Sequence, residues 1–355
     1  MTARDDDAIA FAEQVLTLLR QGAVSTTYKY AVLLGLIELA LEGVSASGAP
    51  PTMVTTHQLA EVVVRLYWPQ VAPYADGAVL RQSNTGQAEI VDRVAAARAA
   101  CGGVSAARAR LQAPAEFARL VRDVEWKLVE MPLPRLQRFG GTESRFIYDI
   151  AWTDEVKRRQ FNAASFNNAI DLRPGVGEHL VRLDGLLRPL LHREWAAQVA
   201  AANRLPAAQL EEHLFGVDRV ALAPVAGGLR ELQGGRCFYC DGPLRAPAVD
   251  HFLPWSRVAL DAIENLVVAD GGCNSKKLDH LAAPVHLARW RARLDRERAA
   301  LAEVAAAARW ESNPARTLGV ARGLYLPLPA GARVWSSADG LVPLPPGALR
   351  QLLAA

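Results

Sequence analysis

The sequence of 355 residues has no long apolar segment and no apparent export signal. Its longest apolar stretch, residues 30–41, is about a dozen residues long and contains Glu38, so it is too short to span a bilayer. The acidic first residues are not followed by the apolar segment of a signal peptide. These absences predict a soluble, cytoplasmic protein with no membrane partner.

Cysteine is also scarce, with four residues in the whole chain. Three of them, Cys237, Cys240 and Cys273, fall within one short region. Such clustering favours a metal site or reduced thiols over a framework of disulfides. The fourth, Cys101, is distant in sequence and is expected to be a loop or core residue.

Lysine accounts for only five of the 40 basic residues, and two of these five are adjacent, at Lys276 and Lys277. The formal net charge of +3 is too small to indicate a nucleic-acid partner by itself. The pair of lysines is therefore more informative than the total charge.

The chain is long enough for two or three domains, and its composition, 51% hydrophobic and 22% charged, is typical of globular proteins. Apolar periodicity predicts a mainly helical region over residues 1–225. A β-hairpin around Gly140 and Gly141 is expected between residues 136–139 and 145–152. The helices expected in this region cover residues 6–22, 28–42, 57–67, 88–100, 114–129, 177–203 and 210–215.

The first three of these helices, within residues 5–75, have two interpretations. Their order suits a module like a helix-turn-helix, and it equally suits a small helical bundle. A second domain is expected over residues 226–295. Residues 296–355 are predicted to be an extension that packs on it. One long helix is expected at 285–308, across the boundary between them, and short strands are expected after residue 323.

Polar residues with catalytic potential are concentrated in this second domain. Asp250 and His251 are adjacent at the end of an apolar stretch, and Asn265 precedes a second one. Asn274 follows Cys273 and comes shortly before the lysine pair. Carboxylate and amide oxygens are suitable ligands for Mg²⁺ or Mn²⁺, and imidazole is suited to proton transfer near neutral pH. Together with the lysine pair, these residues could hold one divalent metal, activate one water molecule and contact one phosphate.

The order and spacing of these residues, over about residues 230–290, resemble the HNH (ββα-metal) endonuclease family. The resemblance implies an α+β fold, mainly helical overall, in which two antiparallel strands at 249–253 and 266–269 and a helix from Asn274 surround a metal ion. Asp250 and His251 would leave their strand on opposite faces, so the backbone must turn for both to reach one metal.

The resemblance also implies roles for individual residues. Asp250 and Asn274 would hold the catalytic Mg²⁺ or Mn²⁺, and His251 would be the general base. Asn265 would fix the loop and orient the imidazole. Lys276 and Lys277 would bind the nucleic acid by contacting its phosphate oxygens.

Many members of this family are braced by zinc between two Cys-x-x-Cys pairs. Here the first pair, Cys237 and Cys240, is intact, whereas Asp270 stands at the first position of the second pair and Cys273 at the other. Asp270 is therefore a candidate fourth zinc ligand. The alternative is a metal-free knuckle of small buried thiols.

The function implied by the resemblance is metal-dependent hydrolysis of DNA, most naturally double-stranded, in a bacterial restriction or anti-phage system. Two alternatives stay open from sequence. The chain could be a non-catalytic nucleic-acid-binding protein built on a zinc knuckle, or a nuclease effector restrained by a sensor partner. A homodimer or a protein partner in a defence complex is compatible with each.

Overall fold

The computed structural model describes residues 3–21, 26–75, 77–139, 142–216 and 222–353, which form two compact units. Unit 1 comprises Met1–Ala40 and Pro51–Asp218, and unit 2 comprises Leu41–Pro50 and Arg219–Ala355. The predicted fold class is confirmed, because helices dominate and the strands form small antiparallel pairings. No helix in the described ranges combines the length and apolar character needed to cross a membrane.

Unit 1 is a helical assembly with a small sheet. Its helices are α1 (Ala3–Gln21), α2 (Tyr28–Glu42, of which the last two residues belong to unit 2), α3 (Thr56–Gln70), α4 (Glu89–Ala100), α5 (Ala106–Gln112), α6 (Pro114–Glu130), α7 (Pro132–Arg135), α8 (Arg158–Phe161), α9 (Val176–Arg182), α10 (Asp184–Asn203) and α11 (Ala207–Phe215). Its strands are β1 (Met53–Thr55), β2 (Arg138–Phe139), β3 (Thr142–Glu143), β4 (Tyr148–Ile150) and β5 (Ala169–Leu172).

Helices α2 and α3 are buried within unit 1. Helix α2 is buried from Tyr28 to Leu41, as its largely apolar sequence predicts. Helix α3 begins after Thr55, whose hydroxyl accepts a hydrogen bond from the Gln58 amide in a capping box. Most of α3 is buried, whereas His57 and Gln58 in its first turn are exposed. The bundle and helix-turn-helix interpretations of residues 5–75 both stay predictions.

The predicted hairpin in unit 1 is shorter than expected. Strands β2 and β3 pair with Arg138 opposite Glu143, and the turn at Gly140 and Gly141 lies outside the described residues. Strand β4, expected to be the second arm, instead pairs with β5, which also pairs with β1 to give the order β1-β5-β4. The hairpin prediction was therefore wrong for residues 145–152. The helix expected at 177–203 is interrupted at Leu183 between α9 and α10.

Unit 2 contains a strand pair with a short helix, surrounded by further helices and a hairpin. Its helices are α12 (Ala223–Leu232), α13 (Gly271–Lys277), α14 (Pro284–Arg296), α15 (Arg298–Ala308), α16 (Pro314–Tyr325) and α17 (Ala348–Leu353). Its strands are β6 (Pro247–His251), β7 (Leu266–Asp270), β8 (Arg333–Ser336) and β9 (Gly340–Pro343). The single helix expected at 285–308 is divided at Glu297 between α14 and α15.

The C-terminal part of unit 2 packs around the strand pair. Helices α15 and α16 contact the 3-10 turn Ile263–Asn265 that precedes β7. The Glu264 carboxylate in that turn accepts hydrogen bonds from the Ser312 hydroxyl and the Asn313 amide, at 2.6 and 3.0 Å. The Trp290 indole of α14 donates to the Glu264 carbonyl at 2.9 Å. These contacts fix the entry to β7.

Residues 41–50 join unit 2 because α16 lies very close to them. A β-carbon at Gly319 would lie 1.8 Å from the Glu42 carbonyl oxygen, so only glycine permits this approach. The Arg316 guanidinium donates to the Glu42 carboxylate at 2.7 Å, and both side chains are largely buried. The end of α2 is therefore anchored to α16 by backbone packing and an ion pair.

Candidate functional site

Strand pairing separates the two central side chains of unit 2. In the antiparallel register of β6 and β7, Asp250 lies opposite Val267 and His251 opposite Leu266. Adjacent residues on a strand point to opposite faces. Accordingly, the side chains of Asp250 and His251 have different partners, from different parts of unit 2.

Asp250 lies in a buried group with Tyr239 and Lys277. The Tyr239 hydroxyl donates to Asp250 Oδ2 at 2.5 Å, and the Lys277 ammonium lies 3.1 Å from the same oxygen. Lys277 also donates to the carbonyl oxygen of His251 at 2.8 Å. The Lys277 side chain is only 1% exposed. The ammonium group of Lys277 is thus buried and bonded within unit 2, and its predicted contact with phosphate stays a prediction.

The same burial governs the protonation of these groups. Burial lowers the pKa of Lys277, and the neighbouring Asp250 carboxylate partly offsets this effect. Burial also raises the pKa of Tyr239 well above its ordinary value, with the Asp250 charge adding to the increase. Tyr239 therefore stays protonated and donates a hydrogen bond to Asp250.

His251 has a carboxylate partner that the sequence did not indicate. His251 Nε2 lies 2.7 Å from Asp261 Oδ1, and the two side chains are 15% and 24% exposed. An ionised carboxylate only accepts hydrogen bonds, so this contact assigns the proton to Nε2 and leaves Nδ1 with a lone pair. Asp261 is the only acidic residue between Phe252 and Ala262, which is the signal that sequence inspection could have used.

Asn265 shapes the loop between His251 and β7. Its side chain is fully buried, accepts from the Leu253 amide at 2.7 Å, and donates to the carbonyls of Leu253 and Leu260 at 3.1 and 2.9 Å. These bonds close the loop, as predicted from the sequence. The imidazole, however, is held by Asp261 rather than by the Asn265 side chain.

Helix α13 carries Asn274 and the two lysines. Asn274 is half-buried and precedes Lys277 by three residues, so the two side chains lie on the same face of the helix. Lys277 reaches Asp250 and His251 from this face, whereas Lys276 is exposed. Asp250 and Asn274 supply oxygen donors that suit Mg²⁺ or Mn²⁺. Both observed contacts of Asp250 use Oδ2, and neither uses Oδ1.

The thiols of Cys237, Cys240 and Cys273 form a second group. Their sulfur atoms all lie within 4.8 Å of one another. Among the His, Cys, Asp and Glu side chains in the described ranges, these three form the one such group. A turn positions the first two, since the Cys237 amide donates to the Gly242 carbonyl at 2.8 Å and Asp241 adopts a positive φ of 58°. Cys273 lies in the first turn of α13.

Asp270, predicted as a fourth ligand, is not part of the thiol group. Its Oδ1 caps α13 by accepting from the Gly272 amide at 3.2 Å. Its Oδ2 accepts from the amides of Arg245 and Ala246 at 2.9 and 3.2 Å. The Asp270 carboxylate therefore holds the backbone that leads into β6 and α13.

The charges of the thiols make a cation favourable at this position. A hydrogen bond from the Gly242 backbone lowers the pKa of Cys240. Burial raises the pKa of Cys273 to about 12, and the neighbouring cysteines contribute to the rise. One thiolate is thus accommodated, whereas a second is opposed by burial and like charge. Three converging thiols are suitable ligands for Zn²⁺, which would remove this opposition.

The two groups of side chains are connected through the Cys-x-x-Cys turn. Tyr239 lies between Cys237 and Cys240 in sequence, and its hydroxyl binds Asp250. The Arg289 guanidinium on α14 donates to the carbonyls of Phe238 and Tyr239 at 2.5 and 3.1 Å. The turn that carries two thiols therefore also positions a donor to the central carboxylate.

Comparison with protein families matches the N-terminal and C-terminal regions of the chain to two different family models. A model described as HNH endonuclease matches residues 237–283, which include both the thiol group and the Asp250–His251 strand. A model described as a domain of unknown function (DUF8808) matches residues 8–214, more than half of the chain. No curated protein and no solved structure matches the chain. The resemblance of the C-terminal region to HNH endonucleases is confirmed.

Proposed function

We propose that this chain, which belongs to the family defined by the domain of unknown function in its N-terminal region, is a metal-dependent endonuclease that hydrolyses phosphodiester bonds in double-stranded DNA. The observation that carries the proposal is the His251–Asp261 pair, at 2.7 Å, at the end of β6 within the region that matches HNH endonucleases. A histidine held by a carboxylate and partly exposed is suited to remove a proton from water.

In this mechanism His251 acts as the general base. Asp261 accepts a hydrogen bond from the Nε2–H group and keeps the ring in one orientation and one tautomer. Nδ1 then takes a proton from the water molecule that attacks phosphorus, and the bond to the leaving 3′ oxygen breaks. Asn265 supports the step indirectly, because its three hydrogen bonds hold the loop that carries Asp261.

Asp250 and Asn274 are the residues that would hold the catalytic Mg²⁺ or Mn²⁺. When bound, this ion would stabilise the negative charge on the phosphoryl oxygens. Asp250 fits this role because its observed partners both contact Oδ2 rather than Oδ1. Cys237, Cys240 and Cys273 would hold a separate, structural Zn²⁺.

A second candidate is a non-catalytic nucleic-acid-binding protein, and one specific observation favours it. The Lys277 ammonium and the Tyr239 hydroxyl already satisfy Asp250 Oδ2 inside unit 2. If that pairing is permanent, the carboxylate would be structural, and only the thiol group would bind metal. The His251–Asp261 pair argues for catalysis, because a purely structural site has no need of a histidine held in this way.

The test is cleavage of plasmid DNA by the full chain in Mg²⁺ or Mn²⁺. His251→Ala should lower the rate about 10²–10⁴-fold, because the general base is lost. Asp261→Asn should lower kcat about 10- to 100-fold with little change in KM, because the base is present but misdirected. His280→Ala, which removes a histidine elsewhere in unit 2, should cut at the wild-type rate.

Several outcomes would contradict the proposal. Wild-type cleavage by His251→Ala would remove the assigned base, and full activity in EDTA would remove the metal. Binding of DNA without any cleavage would favour the second candidate, and cleavage of RNA alone would change the substrate.

Restriction or anti-phage defence is the biological setting that we propose. In this setting, bacteria that express the wild-type chain should show a lower plating efficiency of phage, and bacteria that express His251→Ala should not.

A further inference from the structure

Leu278 is the most exposed large apolar side chain in the described part of the protein, at 66%. It directly follows Lys277, the residue that binds Asp250 and the His251 carbonyl. An exposed leucine gains nothing from burial within the chain. Its location therefore suggests that it packs against something that approaches the site.

The backbone of Leu278 is in a conformation that disfavours a leucine. Its φ is 51° and its ψ is −128°. The His280 amide donates to the Lys277 carbonyl at 3.1 Å, so Leu278 occupies the second position of a tight turn. Glycine fits this position far better, because a β-carbon there clashes with the backbone. A side chain kept in strain without burial is a feature of functional positions.

The turn is fixed on both sides to the segment that carries His251. Lys277, its first residue, donates to the carbonyl of His251 at 2.8 Å. Arg257, in the loop that follows β6, donates through Nε to the Asp279 carbonyl at 3.3 Å. Leu278 is therefore held between two connections to the proposed catalytic segment.

The charges near Leu278 suit a polyanion. Lys276 and Arg257 are exposed, and Asp279 contributes one exposed negative charge. Apolar residues in such a basic setting are used by DNA-binding proteins to enter the minor groove and separate stacked bases. We propose that Leu278 is an apolar wedge that enters the minor groove of duplex DNA and unstacks the base step beside the phosphate that is cut. This inference rests on the proposed function.

The cleavage test uses Leu278→Gly, which removes the side chain and also relieves the positive φ, so loss of folding cannot explain its effect. It should cut an intact duplex about tenfold more slowly, because unstacking is no longer assisted. Stacking is already weakened in a duplex with a mismatch at the mapped cut position. Leu278→Gly should therefore cut such a duplex at the wild-type rate. Leu278→Met, which keeps an apolar side chain, should cut both at nearly the wild-type rate.

The matched control is Val285→Ala, because Val285 is also an exposed apolar residue, at 58%, but lies on the regular helix α14. It should cut both duplexes at the wild-type rate. The wedge is overturned if Leu278→Gly cuts the intact duplex normally, or if it loses the same factor on both duplexes.

A binding measurement separates failure of the wedge from failure of the proposed function. Duplexes with 2-aminopurine at successive positions are titrated with His251→Ala and with the double variant that adds Leu278→Gly. The first should raise 2-aminopurine fluorescence at one step, and the second should not, with Kd changed less than about threefold. That result without any cleavage by the wild type would support the wedge and contradict hydrolysis. No fluorescence change with the first protein, or no duplex binding, would overturn the wedge whatever the cleavage result.

Discussion

The thiol group and the Asp250–His251 site lie in the same unit, but their donor atoms are prepared for metal in different ways. The three sulfur atoms converge within 4.8 Å, and their mutual repulsion as thiolates favours a cation. Asp250 and His251 are instead already bonded to Lys277, Tyr239 and Asp261. The thiol group thus offers three converging ligands that could hold a metal ion, whereas in the second site the protein supplies its own positive charge.

This difference has a consequence for catalysis. A permanent structural ion needs donors that no other group uses, whereas a catalytic ion is exchangeable and can share its carboxylate with a lysine. The Lys277 ammonium neutralises Asp250 when no metal is bound and keeps the buried carboxylate compatible with folding. The comparison therefore predicts that metal removal destabilises the thiol region more than the pairing of Asp250 with Lys277.

The largest expected effect comes from the thiols. The purified chain should contain about one zinc ion per molecule, and Cys240→Ser should release it. Structural zinc sites contribute up to about 10 kcal/mol to the folded state, so the melting temperature should fall more for this variant than for any other considered. Elemental analysis and thermal unfolding measure the two effects.

Cys101→Ser is the matched control for this experiment. Cys101 is the remaining cysteine, half-buried at the end of α4 in unit 1 and outside the thiol group. Its substitution should leave the zinc content unchanged. If the wild-type chain contains no zinc, the three thiols are packing residues and the contrast between the two sites disappears.

The second expected effect concerns Lys277. Lys277→Met keeps the length of the side chain but leaves Asp250 as a buried, unpaired charge, which should lower the free energy of unfolding by about 3–5 kcal/mol. Because a divalent cation can replace the ammonium charge, Mn²⁺ should restore part of the loss. Adding Asp250→Asn to the same protein should also restore part of it. Denaturant unfolding with and without Mn²⁺ gives the values.

Lys276→Met provides the control, since Lys276 is the exposed neighbour on the same helix. It should change the free energy of unfolding by less than about 0.5 kcal/mol. If Lys277→Met is as stable as the wild type in metal-free buffer, then Asp250 does not need the ammonium group, and the proposed exchange between lysine and metal is wrong.

The resemblance located both strands of the pair in unit 2 to within two residues, whereas α13 begins at Gly271, before the predicted start at Asn274. The sequence did not distinguish Lys276 from Lys277, since which lysine is buried depends on how α13 rotates against β6. Nor did it identify Asp261 as the partner of His251. That contact arises only when Asn265 closes the intervening loop, and such long-range closure leaves no periodic signal.

The errors in the rest of the chain have a similar origin. Strand β4 pairs with β5, whose position in the sheet depends on segments far away in sequence. The break at Glu297 separates α14, which packs on α17, from α15, which packs on α12. Local propensity favours one continuous helix there, and tertiary packing overrides it. Helices with strong caps, such as α3 at Thr55, were located within a few residues.

The smallest expected effect tests the connection between the two sites. Tyr239→Phe removes the hydroxyl that donates to Asp250 from within the Cys-x-x-Cys turn, and should lower the free energy of unfolding by about 1.5–3 kcal/mol, the usual value for a hydrogen bond to a charged group. Zinc content should be unchanged, because the thiols are intact. The Mn²⁺ concentration needed for half-maximal cleavage should shift, because Asp250 is no longer oriented by the turn.

Tyr325→Phe is the control that separates orientation from stability. Tyr325 is another fully buried tyrosine of unit 2, and its hydroxyl donates to the Ala282 carbonyl at 3.0 Å, away from Asp250. Its loss should lower stability without moving the Mn²⁺ requirement. If both tyrosine variants shift that requirement equally, or if neither does, Tyr239 contributes only to packing. The thiol turn and the Asp250 site would then be neighbours in one unit that act independently.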